Sequence, residues 1–412
     1  MTNKTILFTI YKIVLFICAL QSFGCSIFWG LSNIVSSISL ASIGGILTLF
    51  NVKTKQYKRN GNVIWFVIYI FSLVFTQSNN FIGWLFFFFI AFNLFVLFTF
   101  DNETKHNLYS FFHIGLAILV GVSLIGWGLY LVGVPLPHYS VGYGSDSSMN
   151  GYQYYFDNYY FFLLNQDTVF RYIIPRFSAV FLEPGYLGCL MSILLFSDRF
   201  QFGKGHRINF IFLVALIMSF SLAGWLLALF AFIMNRLSTQ SGRVFWLLFI
   251  IVTISFGANF FRDYKNGNNI VNESILMRLE YDKQDSSIAG YNRSSESLDY
   301  FFWNTFIHSE DLAFGNRQLV ETYSTSAENE VSWTAYIINY GLIAFFILLL
   351  YFFFPTINAK NHRFDKFCTG ILYFVIFSQT THMTHSLLYV SLFVTIIGNI
   401  DFQTTTLAIK NK

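Results

Sequence analysis

The stretch Arg176-Phe-Ser-Ala-Val-Phe-Leu-Glu183-Pro184-Gly185-Tyr-Leu-Gly188 places a cation, a carboxylate and a proline at the edge of an apolar run. Proline cannot continue a helix begun upstream but is favoured as a first helical residue. The spacing therefore predicts a helix starting at Pro184. Residues 176–183 are then irregular backbone at membrane depth, which is tolerated only inside protein or beside a watery cavity. Arg176 and Glu183 would line that cavity, and ionisable groups at such depth are functional by default. The plainer alternative is a snorkelling arginine and a helix-capping glutamate. Arg278 in Met277-Arg-Leu-Glu280 and Arg293 in Gly290-Tyr-Asn-Arg-Ser-Ser-Glu296 carry further guanidinium groups. These stay charged and bind phosphate bidentately. Arginines converging from two outer segments would clamp a pyrophosphate without a metal; taken singly, each also fits a solvated loop position. Tyr159 and Tyr172 belong to a tyrosine-rich segment interspersed with Asp146, Asp157 and Asp167. Aromatic faces with carboxylates suit sugars, and an interfacial aromatic belt is the alternative. His382 and His385 lack a third ligand nearby, so no metal site is expected. No Walker loop, GxSxG or HExxH motif stands where it could work.

The elements that must position these residues are membrane spans. Of 412 residues, 55% are apolar and only 11% charged, against about 25% charged in soluble proteins, too few for a water-facing surface. Phe81 to Phe100 is an uninterrupted apolar block, and β-barrel strands would alternate instead. The first apolar segment, Thr5 to Phe23, has no small-residue cleavage site after it and is expected to be a retained helix. Cys18, Cys25, Cys189 and Cys368 lie in or beside apolar spans without metal-type spacing, so neither a disulfide framework nor zinc is indicated. A formal charge of +4, dispersed and without an arginine run, gives no reason to expect nucleic acid.

Apolar blocks fall near 5–24, 31–50, 63–79, 81–100, 108–133, 179–197, 208–235, 244–258, 331–354 and 367–400. Two are too long for one crossing. The 208–235 block would run about 42 Å as one helix, and Ser219, Ser221 and Gly224 at its middle suit a tight turn. Its flanks, Arg199/Lys204/Arg207 and Arg236/Arg243, are both basic, which asks for an even number of crossings. Splitting 367–400 near Gln379 to Ser386 by the same argument gives twelve spans with both termini inside. On that topology inner segments hold 16 Lys and Arg and outer ones 8, with Lys12 inside the first helix, while acidic residues are 5 inside and 16 outside or at the outer membrane face. The asymmetry supports the assignment. The expected architecture is an all-α polytopic membrane protein of about 12 transmembrane helices, one membrane domain over residues 1–412. Its two large outer loops, 134–178 and 259–330, would cap the active site. Within the second, Leu298, Phe302 and Phe306 recur every four residues, with Ser295, Glu296, Asp299 and Asn304 on other faces, predicting an amphipathic surface helix.

In this arrangement the chain resembles the bacterial O-antigen or capsule repeat-unit polymerases of the Wzy type, which share a superfamily with the O-antigen ligases. Arg176 to Gly188 is similar to the family signature in which an arginine, a phenylalanine and a Glu-Pro pair lead into a mid-chain helix. Arg293, followed 22 positions later by Gly315-Asn316, resembles the arginine and glycine turn of the large outer loop. Glu330 to Phe345, with Gly341-Leu-Ile-Ala, resembles the segment leading into the next helix. Glu330-Val331 stands where ligases have His-Asn, which favours polymerase over ligase. The resemblance implies a GT-C-like, cofactor-free and metal-independent glycosyltransferase in the bacterial inner membrane. Its substrates would be undecaprenyl-diphosphate-linked oligosaccharides, its surroundings membrane lipid, and its partners a chain-length regulator and a flippase. It implies catalytic roles for Arg176, Arg293, Glu183 and Glu330, and substrate binding by Arg278, Glu328, Tyr159 and Tyr172. The rival from another class is a lipid-linked oligosaccharide flippase or transporter. Such proteins concentrate function at mid-membrane and have short outer loops, whereas charge here gathers in two large outer segments.

Overall fold

Proline 184 and glycine 341 divide the apolar runs where their backbone chemistry requires it. The computed structural model describes residues 3–53, 88–89, 92–93, 95–97, 99–143, 154–165, 174–203, 205–239, 252, 255–267, 269, 272, 276–277, 281–282, 287–288, 296–316, 318–319, 332–357 and 363–379. The expected span 63–79, most of 81–100 and of 244–258, and the second half of 367–400 lie outside them. The described chain is mostly helical: α1 (Asn3–Ser22), α2 (Asn33–Lys53), α3 (Asn102–Leu131), α4 (Pro184–Ser197), α5 (Ile208–Met218), α6 (Leu222–Thr239), α7 (Glu296–Asn304), α8 (Trp333–Ile357) and α9 (Arg363–Gln379).

Among the described residues, three stretches, Thr5–Ser22, Asn102–Leu131 and Trp333–Phe353, are long and apolar enough to cross a membrane. Along α3, Ile114, Ile118, Val122, Ile125 and Leu129 form an exposed stripe, while Leu116, Val120, Ser123 and Trp127 are buried. An apolar stripe turned outward reverses the pattern of a helix on a soluble protein and marks a membrane-associated one. Asp101 caps α3, its carboxylate accepting from the Thr104 amide at 2.7 Å.

Helices α4, α5 and α6 form a down-up-down trio. The Gly188 and Gly224 backbones touch, so that a Cβ on Gly224 would lie 2.7 Å from the Gly188 Cα. Further along, the Asn235 side-chain amide donates to the Arg199 carbonyl at 3.0 Å. The two helices thus run parallel. Between them in sequence, α5 runs the other way: Asn209 donates to the Gln201 carbonyl at one end, and the Phe177 amide donates to the Met218 carbonyl at the other. The turn expected within 208–235 is present at Ser219–Ser221, with Phe220 at φ 44°.

At one end of the trio a buried polar cluster ties α3 to α4 and α5. Asp198 accepts from His113 Nε2 at 3.1 Å and from the Tyr109 hydroxyl at 3.3 Å, with His206 Nδ1 at 3.8 Å. His113 Nε2 also lies 3.2 Å from Asn209 Oδ1. Both neighbours are acceptors, so this nitrogen carries the proton. Arg199 and Asp365 pair at 2.8 Å nearby, joining α9. The cluster brings Arg199 and Arg207 to one end of the bundle, with Arg236 in the last turn of α6. Arg176 is at the other end.

Two features depart from the sequence expectation. Segment 134–178 carries a three-stranded antiparallel sheet of β1 (Tyr139–Tyr143), β2 (Tyr154–Asn158) and β3 (Leu163–Asn165); a short pair, β4 (Tyr281–Asp282) and β5 (Ser287–Ile288), lies in 259–330. The alternation of Tyr154, Phe156 and Asn158 with Tyr155 and Asp157 is a strand pattern hidden in a tyrosine-rich composition. Second, α8 is not one rod. Gly341, at φ 83° and ψ 165°, breaks it into 333–340 and 342–357.

Candidate functional site

The end of the bundle that holds Arg176 is built from three irregular segments. Residues 174–183 run without helix or strand to Pro184, as the sequence predicts, and α4 begins there. Their backbone is satisfied from several sides. The Leu163 amide of β3 donates to the Ala179 carbonyl at 2.8 Å, and the Ser26 amide after α1 donates to the Val180 carbonyl at 2.8 Å. Ser178 Oγ donates to the Leu163 carbonyl, and Cys25 bridges Phe181. Ala179 sits at φ 50°, buried within this clamp. Irregular backbone of this kind survives beside a membrane because protein groups take up its amides and carbonyls.

Arg176 is partly buried, and its Nε donates to the Ser219 carbonyl at 3.2 Å. The bond fixes the guanidinium to the α5–α6 turn, whose Ser219 carbonyl has no helical partner. A planar guanidinium anchored at Nε has its orientation set by that bond. Glu183 is the N-cap residue of α4, but by its backbone: its carbonyl accepts from the Tyr186 and Leu187 amides. Its side chain makes no capping bond, so the capping alternative fails. Glu183 Oε2 lies over Gly185, 3.9 Å from where a Cβ would stand. Arg176 and Glu183 share this end of the bundle yet do not form an ion pair. Glu183 therefore does not orient Arg176 by direct contact.

Tyr159 stacks on Phe162 with centroids 4.5 Å apart, lies against Tyr130, and stacks on His138. Burial, with Tyr130 and Asp157 adding to it, raises the Tyr159 hydroxyl above its ordinary range, so it remains a donor at neutral pH. The Phe161 carbonyl is taken by Ser123 of α3. The rings of Tyr139, Tyr160 and Phe161 are exposed at the rim, whereas Tyr159 is part of the wall. Trp127 packs on Phe177 at 5.5 Å, and its buried Nε1–H has no acceptor among the described residues. Arg278, Arg293, Glu328, Glu330 and Tyr172 lie outside the described residues, as do His382 and His385.

The sequence missed Ser219 as the partner of Arg176, since a carbonyl has no signature in residue type. The signal available was the break at Ser219–Gly224, because a helix end leaves orphan carbonyls for a nearby cation. The predicted amphipathic helix is α7, and Leu298, Phe302 and Phe306 are all buried. They pack on Ala335, Ile337 and Ile338 of α8. Asp299 is not on a free face: Thr334 Oγ1 donates to it at 3.1 Å. The Gly315-Asn316 turn seats in the α8 break. A Cβ on Gly315 would stand 2.5 Å from the Gly341 and Tyr340 nitrogens, and Asn316 N donates to the Ile338 carbonyl at 2.6 Å. Comparison with family models, with curated proteins and with solved structures returns no match.

Proposed function

We propose that this protein is a polymerase joining undecaprenyl-diphosphate-linked oligosaccharide repeat units at the outer face of a bacterial inner membrane. The observation that carries the proposal is Arg176, whose Nε is held by the Ser219 carbonyl at the same end of the bundle where Glu183 opens α4 without a side-chain capping bond. A positioned cation and a carboxylate at one end of the bundle are what displacement of a lipid diphosphate by a sugar hydroxyl requires. A hydroxyl of the incoming unit attacks the anomeric carbon of the growing chain's first sugar, the bond from that carbon to the diphosphate oxygen breaks, and the hydroxyl proton passes to a carboxylate. Negative charge grows on the leaving diphosphate, and a fixed guanidinium stabilises it. Arg293 and Arg278 would complete the clamp, with Glu330 or Glu328 as the alternative base. The seating of Gly315-Asn316 against Gly341 supports the resemblance, since two of its three motifs meet.

The gathering of Arg199, Arg207 and Arg236 at the end opposite Arg176 supports a cytoplasmic assignment for that end. With it go twelve spans, both termini inside and a GT-C-like arrangement. The test is to incubate the purified protein in lipid with lipid-linked repeat units extracted from host cells lacking it, and to separate products by size. A ladder at integer multiples of the repeat is expected, and Arg176→Ala should lower it by about 100-fold, the worth of one charge-stabilising donor. A wild-type protein that gives no ladder with its native substrate, or a fully active Arg176→Ala, overturns the proposal.

A further inference from the structure

Phe314 is 67% exposed, yet the backbone carrying it is firmly held. Gly315 N donates to the Asp311 carbonyl at 2.7 Å, and Asn316 Nδ2 donates to the Asp311 carboxylate at 3.2 Å. Ile343 N donates to the Ala313 carbonyl at 3.2 Å, so the turn is bonded to the helix on both sides of Gly341. Phe314 is thus displayed by a fixed turn and not by a fraying loop. Immediately beyond, Ile343, Phe346 and Leu350 are exposed on α8 at spacings of three and four, one face of the helix. The opposite face carries Ala344, Leu348 and Phe352 into the core with Leu372, Tyr373 and Ile376 of α9. The outward stripe lies on a segment apolar enough to cross a membrane, so acyl chains cover it. Phe314 stands at the break that precedes this stripe: a Cβ on Gly341 would lie 2.5 Å from the Phe314 carbonyl carbon.

We propose that Phe314 is a lipid anchor: its ring enters the leaflet that covers Ile343, Phe346 and Leu350, fixing segment 296–316 to the bilayer as well as to α8. The partner is the phospholipid layer where acyl chains meet headgroups, the depth at which aromatic rings concentrate. This inference is independent of the polymerase reading. One consequence is that α7, whose Phe302 and Phe306 rest on α8, keeps a set height above the lipid.

Cys18, Cys25, Cys189 and Cys368 are all buried, so a nitroxide reagent can be directed to a single introduced thiol, with the wild type as the unlabelled control. Phe314→Cys, Ile343→Cys and the exposed helix-cap neighbour Glu103→Cys would each be labelled in phosphatidylcholine nanodiscs. Collision with oxygen, which dissolves in lipid, is then compared with collision by a water-soluble nickel chelate. Oxygen should exceed nickel at Phe314→Cys as at Ile343→Cys, with the order reversed at Glu103→Cys. Nickel exceeding oxygen at Phe314→Cys places the residue in water and overturns the proposal. An immobilised label reached by neither reagent shows a protein partner and overturns it too. Should Phe314→Cys fold poorly, Phe314→Trp in nanodiscs of brominated phosphatidylcholine gives the same decision. Its added emission is lost if the ring meets lipid and is retained if it does not.

Discussion

Asp198 is a carboxylate taken out of water at the junction of three helices. Burial pushes its carboxyl up, but the hydrogen bond and charge of His113, with Asn209 and His206, outweigh that and hold it below the usual carboxylate range. A depressed carboxyl stabilises the fold above its unfolded value and loses that contribution as pH falls through its folded value. Unfolding of the detergent-solubilised protein should therefore show acid destabilisation below about pH 4. Asp198→Ala should cost about 3 kcal/mol at neutral pH, because it removes the buried carboxylate that His113 and Tyr109 share and leaves them only Asn209 Oδ1 at 3.2 Å and the Leu194 carbonyl at 3.5 Å. The gap between variant and wild type should narrow toward pH 3. Equal melting temperatures at pH 7 would refute the role. Cys25 gives a second check. Burial pushes its thiol up to about 12, so it should resist alkylation at pH 8 in the folded protein and react only on unfolding.

At the scale of elements, two glycines with nearly the same backbone angle should behave differently. Gly341 and Gly133 both have φ +83°. Nothing stands within 4 Å of a Cβ placed on Gly133, whereas one on Gly341 would collide with the Ala313 carbonyl. Gly133→Ala should cost about 1 kcal/mol, the strain of the left-handed region alone. Gly341→Ala should cost more than about 3 kcal/mol, since strain adds to a backbone collision and dislodges the Gly315-Asn316 turn. Comparable losses in chemical denaturation would mean that the turn is not seated there. These joints also show how far the sequence could be read. Pro184, Ser219 to Gly224 and the four-residue spacing of Leu298, Phe302 and Phe306 were legible, because each is a local rule about backbone or periodicity. Asp198 with His113 was not, since each is a single polar residue at a span end and their contact joins positions 85 apart. The strands at 139–165 were hidden because apolar and tyrosine residues filled both faces. The missing ion pair between Arg176 and Glu183 shows the limit of proximity in sequence: Arg176 turns to the α5–α6 turn, 43 positions further along the chain.

At the scale of the molecule, the helix directions make a claim that composition alone cannot. Helix α1 runs alongside α3, since Tyr11 meets Phe100 while Phe16 meets Phe112. Both therefore start at the end where Asp198, Arg199 and Asp365 gather, and Gly24 emerges beside Leu182 at the Arg176 end. Helix α4 is 14 residues long and α5 only 11, about 21 and 16 Å. Each is shorter than a hydrocarbon core of about 30 Å. A bundle with one end at the inner interface would thus hold Arg176 and the α5–α6 turn below the opposite surface, open to a lipid-linked substrate but screened from bulk water. Sidedness follows. Glu103 and Gly203 belong to the basic end, and Tyr139 lies beyond the far end of α3. Since the native cysteines are buried, each position can be replaced singly by cysteine and exposed to a membrane-impermeant maleimide on spheroplasts. Tyr139→Cys should react at once, and Glu103→Cys and Gly203→Cys only after permeabilisation. Reaction of all three from the same side would mean that the chain does not pass through the bilayer between them. The recess at Arg176 would then be a crevice within a protein lying on the membrane, with no route for a substrate held in the outer leaflet.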